Sequence, residues 1–198
     1  MYKKQMLFQK LICLFTLISG GIVFLYSLGV MTDIYDSLYS AVTIDRVTHE
    51  VTKQKVEGAR IYADMQPFND LFLKLSIGFI LCAILLYITN THVRRRYYIS
   101  NFISTAIVVG YGSAFSVWAH LNIEKYKNQF LTTVDFEGLK KYAEKWKTLY
   151  TDSTFWFDIH YVVFGLIMLL VVLHIINLIL KVSLMSGEKK LLAAGKEA

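Results

Sequence analysis

The sequence predicts an all-α fold: an integral membrane bundle of four antiparallel helices with a small helical cap formed by two loops. Two observations predict it. Four long apolar runs lie at about residues 7–31, 71–90, 97–119 and 155–180, and the mean hydropathy of the 198-residue chain is +0.44. A helix needs roughly 20 mostly apolar residues to cross a bilayer. We therefore interpret residues 1–198 as a single four-span membrane domain with external loops at about 32–70 and 120–154.

The distribution of charge predicts the orientation of this bundle. The formal net charge is +6, and ten basic residues flank the apolar runs on one side: Lys3, Lys4, Lys10, Arg94, Arg95, Arg96, Lys181, Lys189, Lys190 and Lys196. Only Glu188 and Glu197 share that side. Since basic residues concentrate on the cytoplasmic face of membrane proteins, we expect both termini to be cytoplasmic. The same pattern argues against a nucleic-acid partner, because the basic residues follow the membrane boundaries.

Cysteine usage and glycosylation signals bear on localisation. Both cysteines, Cys13 and Cys82, fall inside predicted spans, where we interpret them as small core residues, and no external disulfide is expected. The chain has no Asn-x-Ser/Thr acceptor. We expect the protein to be integral to a plasma membrane of bacterial type.

The boundaries of two spans are marked by local sequence. A basic segment precedes the first run, as in a secretory signal, but the run is too long, so a retained helix is predicted. Pro67 stands before the second run, and Asn69 and Asp70 follow it as candidate helix caps.

The second loop contains an amphipathic pattern with Asp135 as a candidate cap. Its apolar residues recur every three or four positions: Phe136, Leu139, Tyr142, Ala143, Trp146 and Leu149. The ordinary interpretation is that this stripe packs on the first loop or lies among the lipid headgroups. The alternative is a docking surface for a partner, through Phe136, Leu139 and Trp146.

The third run has small residues at four-residue spacing: Ala106, Gly110 and Ala114. Such spacing allows helices to approach closely. The sequence leaves two interpretations open, packing inside the bundle, which is the default, and a joint with another membrane subunit.

Histidines near the membrane boundary allow a haem hypothesis. His120 in the third run has a depth suited to meet His160 in the fourth, and the two would be the ligands of one b-type haem. A second haem would need His92 to face His174, and their depths differ. The alternative for each histidine is an ordinary boundary residue without a ligand.

Asp158 and His160, with His120 and Glu124 nearby, also suggest a metal site or an acid–base pair. The two-residue spacing of Asp158 and His160 points their side chains in different directions on a helix, so hydrogen bonding between helix ends is favoured. His174 and Asn177, deeper in the fourth run, are expected to bond to a neighbouring helix.

These observations together favour a non-enzymatic accessory or scaffold subunit of a larger membrane complex, such as a transporter assembly. It would bind other membrane subunits, or itself, through the loop cap and the small-residue face, and would lie in the lipid bilayer without cofactor or metal. Two alternatives remain at this stage: a b-type haem electron-transfer protein, and a homo-oligomeric channel.

Overall fold

The computed structural model describes residues 2–29, 32–45, 51–92 and 97–194. In chain order its elements are α1 (Tyr2–Gly29), α2 (Thr32–Ser40), β1 (Val42–Ile44), β2 (Val51–Gln54), α3 (Ile61–Asn90), α4 (Ile99–Thr133), α5 (Phe136–Trp146) and α6 (Phe155–Ala194). The all-α prediction is confirmed, and α1, α3, α4 and α6 are each long and apolar enough to cross a membrane. The predicted basic link at Arg94, Arg95 and Arg96 lies outside the described residues.

A small β-sheet departs from the all-helical expectation. Strands β1 and β2 pair antiparallel, with Thr43 opposite Lys53 and an irregularity in register between Thr43 and Ile44. Val42 is buried, whereas the residues of β2 are largely exposed. The alternation of apolar and polar residues covers too few positions here for the sequence to predict a strand.

Helix α3 begins earlier than the sequence predicted. It starts at Ile61, so Pro67 lies inside it, and Asn69 and Asp70 are not its caps. The physical reason is an apolar stripe upstream of the proline, where Ile61, Tyr62 and Met65 are buried. Burying three large side chains outweighs the roughly 3 kcal/mol that a helical proline costs.

Helices α4 and α6 are longer than the predicted spans. Helix α4 continues past residue 119 to Thr133 because Ile123 and Phe130, at helical spacing, remain buried. Helix α6 continues past residue 180 to Ala194, through a charged stretch that contains Glu188, Lys189 and Lys190. Part of the predicted second loop is therefore the end of α4.

The chain divides into two compact units, each built from several chain segments. The first consists of residues 1–23, 76–116 and 163–198, and the second of residues 24–75 and 117–162. By sequence, the first unit holds ten basic and two acidic residues, a formal charge of +8, and we call it the basic unit. The second holds eleven basic and thirteen acidic residues, a charge of −2, and we call it the mixed-charge unit.

The core of the basic unit contains aromatic rings and close contacts among α3, α4 and α6. The Phe115 ring packs edge-on against Phe164, with centroids 5.5 Å apart. Gly112 faces Phe79 and Ile167, and a Cβ added there would lie 3.3 Å from each side chain. An alanine at this position would require these side chains to shift by a few tenths of an ångström.

The core of the mixed-charge unit is also aromatic. The Phe68 ring lies 5.4 Å from Phe72 and 5.3 Å from Trp118, and the Phe130 ring lies 5.6 Å from Phe157. These contacts pack segments of α3, α4 and α6 around one apolar centre. Tyr26 of α1 joins them and donates its hydroxyl hydrogen to the carbonyl oxygen of Trp156 at 2.8 Å.

Candidate functional site

The small residues of α4 face away from the rest of the protein. Ala106, Gly110 and Ala114 are all exposed, and no atom lies within 4 Å of a Cβ added at Gly110. The default interpretation, packing inside the bundle, is therefore wrong for this face, and Gly112 makes the internal contact instead. The structure leaves a stripe of small side chains open on the surface of the basic unit.

Helix α5 forms where the sequence predicted it, and the buried part of its apolar stripe packs against its own chain. The Asp135 carboxylate caps it by accepting a hydrogen bond from the Gly138 N–H at 3.0 Å. Leu139 and Ala143 are buried, so Leu139 belongs to the core and is not available to a partner. One residue of the stripe contacts the first loop: the Tyr142 hydroxyl donates to the carbonyl oxygen of Ser40 at 3.0 Å.

The other two predicted contact residues of α5 differ in exposure. Phe136 is half-buried, and its ring lies 5.1 Å from that of Phe130. Trp146 is 60% exposed, and so is Leu149 just beyond the end of the helix. Of the three residues that the sequence suggested for docking, Trp146 alone is well exposed.

A polar cluster lies where α4 and α6 meet in the mixed-charge unit. Nδ1 of His120 and Nε2 of His160 are 2.9 Å apart, and Oε1 of Glu124 is 3.9 Å from Nε2 of His160. His120, Glu124 and Lys127 share one face of α4 because they are separated by three or four residues. The favoured interpretation, hydrogen bonding between these helices, is confirmed.

The hydrogen bonds of His160 determine which nitrogens carry hydrogen when both histidines are neutral. Nδ1 of His160 bonds to the carbonyl oxygen of Phe157, which only accepts, so this nitrogen carries a hydrogen. In neutral His160 the other nitrogen, Nε2, is then the acceptor, and His120 donates through its Nδ1–H. Among the described residues none bonds to Nε2 of His120, and this side chain is exposed. The pair is therefore arranged to bind one proton without losing its hydrogen bond.

Charged residues surround the histidine pair and are themselves paired. The Lys127 ammonium donates to Oδ1 of Asp158, and the Thr154 hydroxyl donates to the other carboxylate oxygen at 2.7 Å. The Tyr161 hydroxyl donates to Oε1 of Glu124 at 2.7 Å. His160, at 1% exposure, is the most buried titratable group in this cluster.

This arrangement does not fit the haem hypothesis. Two histidines that ligate one haem bond to the iron from opposite sides, with metal–nitrogen bonds of about 2 Å each. His120 and His160 instead bond to each other, and their ring centroids are only 5.1 Å apart. In the other pair, Nε2 of His174 bonds to the Thr16 hydroxyl at 2.8 Å instead of facing His92.

The metal hypothesis concerned Asp158 and His160, with His120 and Glu124 nearby. Over residues 2–29, 32–45, 51–92 and 97–194, no three His, Cys, Asp or Glu side chains are grouped so as to hold a metal ion. Asp158 uses both carboxylate oxygens on Lys127 and Thr154, so it faces away from the histidine pair.

The basic unit contains a buried amide network, of which the sequence predicted only a part. The Gln5 amide donates to Oε1 of Gln9 at 3.0 Å and to Oδ1 of Asn177 at 2.8 Å, and Gln9 donates to the carbonyl oxygen of Asn90. The sequence predicted that His174 and Asn177 would bond to a neighbouring helix, which is confirmed. Gln5 and Gln9, four residues apart at the start of the first apolar run, were the signal that could have identified the rest.

The comparisons with known proteins add no relative. No protein-family model, curated protein or solved structure matches this chain.

Proposed function

We propose that this protein is a non-enzymatic accessory subunit of a larger membrane complex, such as a transporter assembly. In this proposal α1, α3, α4 and α6 cross a plasma membrane as an antiparallel bundle with both termini in the cytoplasm. What supports the orientation is the charge of +8 on the basic unit against −2 on the mixed-charge unit. In this orientation helix α5 would lie outside the membrane.

Chemical labelling tests this orientation. Ser186→Cys in the basic unit and Glu137→Cys in the mixed-charge unit both introduce a thiol at an exposed position. In intact cells we expect a membrane-impermeant maleimide to label Glu137→Cys and to label Ser186→Cys only after the membrane is permeabilised. The unmodified chain is the control, because Cys13 is buried and Cys82 half-buried. Labelling of Ser186→Cys in intact cells would contradict the proposed topology.

The observation that carries the accessory role is the exposed small-residue face of α4. In lipid, helices gain little from burying apolar surface against each other, so association depends on close packing. A stripe of Ala106, Gly110 and Ala114 lets another helix approach closely, and this chain leaves it uncovered. Exposed Trp146 would add a contact outside the membrane.

Site-specific crosslinking tests the face against a matched control. A photo-crosslinking residue at Ile107, exposed beside the stripe, should give a discrete protein adduct, whereas one at exposed Val172 of α6 should not. Gly110→Leu should lower the Ile107 adduct about tenfold, since a clash of about 1.4 kcal/mol changes an equilibrium by that factor. Gly165 also lies in open space, and Gly165→Leu should leave the yield of the Ile107 adduct unchanged.

The size of the adduct distinguishes two versions of this proposal. An adduct with a different membrane protein supports the accessory subunit, and an adduct at twice the mass of this chain supports the homo-oligomeric channel, which uses the same face. Equal adduct patterns from Ile107 and Val172 would contradict both.

A further inference from the structure

The basic unit contains a groove between α1 and α6 that nothing in the proposed function uses. Its volume is about 380 Å³, and among the described residues it is lined by Lys4, Gln5, Phe8, Leu180, Ser183 and Leu184. This volume lies in the range of about 300–1,000 Å³ that is typical of small-molecule sites. The groove therefore has room for part of a ligand.

The groove is a built feature rather than a gap between loose helices. The Gln5 amide, one of its lining groups, is 8% exposed and donates to Oδ1 of Asn177 at 2.8 Å. Asn177 in turn donates to Oε1 of Gln9 at 3.3 Å. These bonds hold α1 and α6 together beside the groove, so its walls are fixed by buried contacts.

The lining residues on α1 change from polar to apolar along the helix. Lys4 lies near the terminal end of α1, and Phe8 follows one helical turn later, about 6 Å along the axis. Leu180 and Leu184 give the facing helix an apolar wall, and Ser183 adds a hydroxyl group. The groove thus offers a cation and a hydroxyl to an anionic group, and apolar side chains to a hydrocarbon chain.

The surrounding charge favours an anion. By sequence, the acidic residues of the whole basic unit are Glu188 and Glu197, and neither lines the groove. Exposed Lys3, Lys189 and Lys190 belong to the same unit. Basic residues beside a membrane attract the anionic lipids of the cytoplasmic leaflet, each contributing on the scale of thermal energy or slightly more.

We propose that this groove binds one anionic phospholipid, with the phosphate group at Lys4 and Ser183, an acyl chain along Phe8 and Leu180, and Leu184 beside the headgroup. The inference rests on the proposed membrane residence and orientation, because the lipid would come from the cytoplasmic leaflet. It adds a ligand class that the accessory role does not require.

Native mass spectrometry of the full-length protein tests this site. The purified chain is mixed with detergent micelles containing either phosphatidylglycerol or phosphatidylcholine, and the fraction that retains one lipid is measured. We expect phosphatidylglycerol to be retained preferentially, and Lys4→Gln to lower its retention about fivefold. Lys10→Gln, which removes an exposed lysine of the same helix outside the groove, should retain the lipid as the unmodified chain does.

A second variant and a competitor identify the occupant. Ser183→Trp fills the groove without changing charge and should also lose the lipid. Inorganic phosphate should not displace phosphatidylglycerol, because the hydrocarbon contacts are absent from it. The inference is overturned if the two lipids are retained equally, if Lys10→Gln and Lys4→Gln have the same effect, or if phosphate alone displaces the lipid.

The same variants separate this inference from the accessory role. The crosslink from Ile107 should be unchanged in Lys4→Gln, since Lys4 lies on another helix. If the unmodified chain shows no preference for phosphatidylglycerol but does form the Ile107 crosslink, the lipid site alone is overturned. If the unmodified chain prefers phosphatidylglycerol but gives no specific adduct from Ile107, the accessory role alone is overturned.

Discussion

Replacing Gly58 by alanine is expected to destabilise the mixed-charge unit by about 3 kcal/mol. Gly58 has a φ of +77°, in the left-handed region that alanine rarely adopts. An added Cβ would also overlap the carbonyl group of Thr133, at the end of α4. Either the backbone at Gly58 or the end of α4 must move, and both are fixed by neighbouring contacts.

This movement would also affect the start of α5. The Asp135 N–H donates to the carbonyl oxygen of Glu57 at 3.1 Å, so the segment before Gly58 is bonded to the residue that caps α5. Losing this bond would loosen the start of α5 together with the end of α4. We therefore expect more than a local change at the turn.

Thermal unfolding in detergent, followed by the fraction of monodisperse protein, measures this effect. Gly58→Ala should lower the midpoint by several degrees, with about 2–4 °C expected for each kcal/mol in a chain of this length. Gly187→Ala is the matched control, because no atom lies within 4 Å of its added Cβ and its φ is not positive. Equal midpoints for the two variants would refute the argument.

Acidification is expected to break the hydrogen bond between His120 and His160. With one proton bound, the two facing nitrogens still share a hydrogen. With both rings charged, Nδ1 and Nε2 each carry a hydrogen at a separation of 2.9 Å, and the charges repel. At an effective dielectric constant of about 20 this repulsion is on the order of 2–4 kcal/mol. Stability should therefore fall once the pH is low enough for both rings to be charged.

The charged groups around the pair set the size of this effect. Glu124, 3.9 Å from Nε2 of His160, partly compensates the added charge. The Lys127 ammonium donates to Asp158, whose carboxylate balances part of its charge. Tyr161 holds Glu124 in place through its hydroxyl group.

Thermal unfolding midpoints measured at about pH 8 and at about pH 5 give the acid sensitivity that is due to the His120–His160 pair. In His120→Asn the amide accepts from or donates to His160 in either charge state, so this variant should lose less stability on acidification than the unmodified chain. His92→Asn alters an exposed histidine whose Nδ1 lies 3.2 Å from the carbonyl oxygen of Ile88, and it should keep the full acid sensitivity. If all three proteins respond alike, the histidine pair is not the acid-sensitive element.

Several features of the fold could be predicted because they depend on residues near each other in the chain. The apolar runs indicate the four long helices, and the three- and four-residue spacing of apolar residues with Asp135 before them predicted α5. The start of α3 could not be predicted in this way. A proline favours a helix start, and only the burial of Ile61, Tyr62 and Met65 shows that the helix continues upstream.

The candidate sites depended more on packing. The sequence placed His120 and His160 at similar depth, but whether they hold a ligand between them or bond directly depends on how closely α4 and α6 approach. Likewise, Ala106 and Gly112 are both small residues of α4, and the sequence alone does not indicate which side faces the core.

The sequence by itself determined the four apolar helices and the segregation of positive charge into the segments of the basic unit, because hydropathy and charge are properties of each segment taken alone. Tertiary structure decided which groups meet: the His120–His160 bond across 40 positions, the Gln5–Asn177 bond across 172 positions, and the outward direction of Gly110. These contacts join residues far apart in the chain. Their formation depends on the rotation and spacing of packed helices, which local composition does not specify.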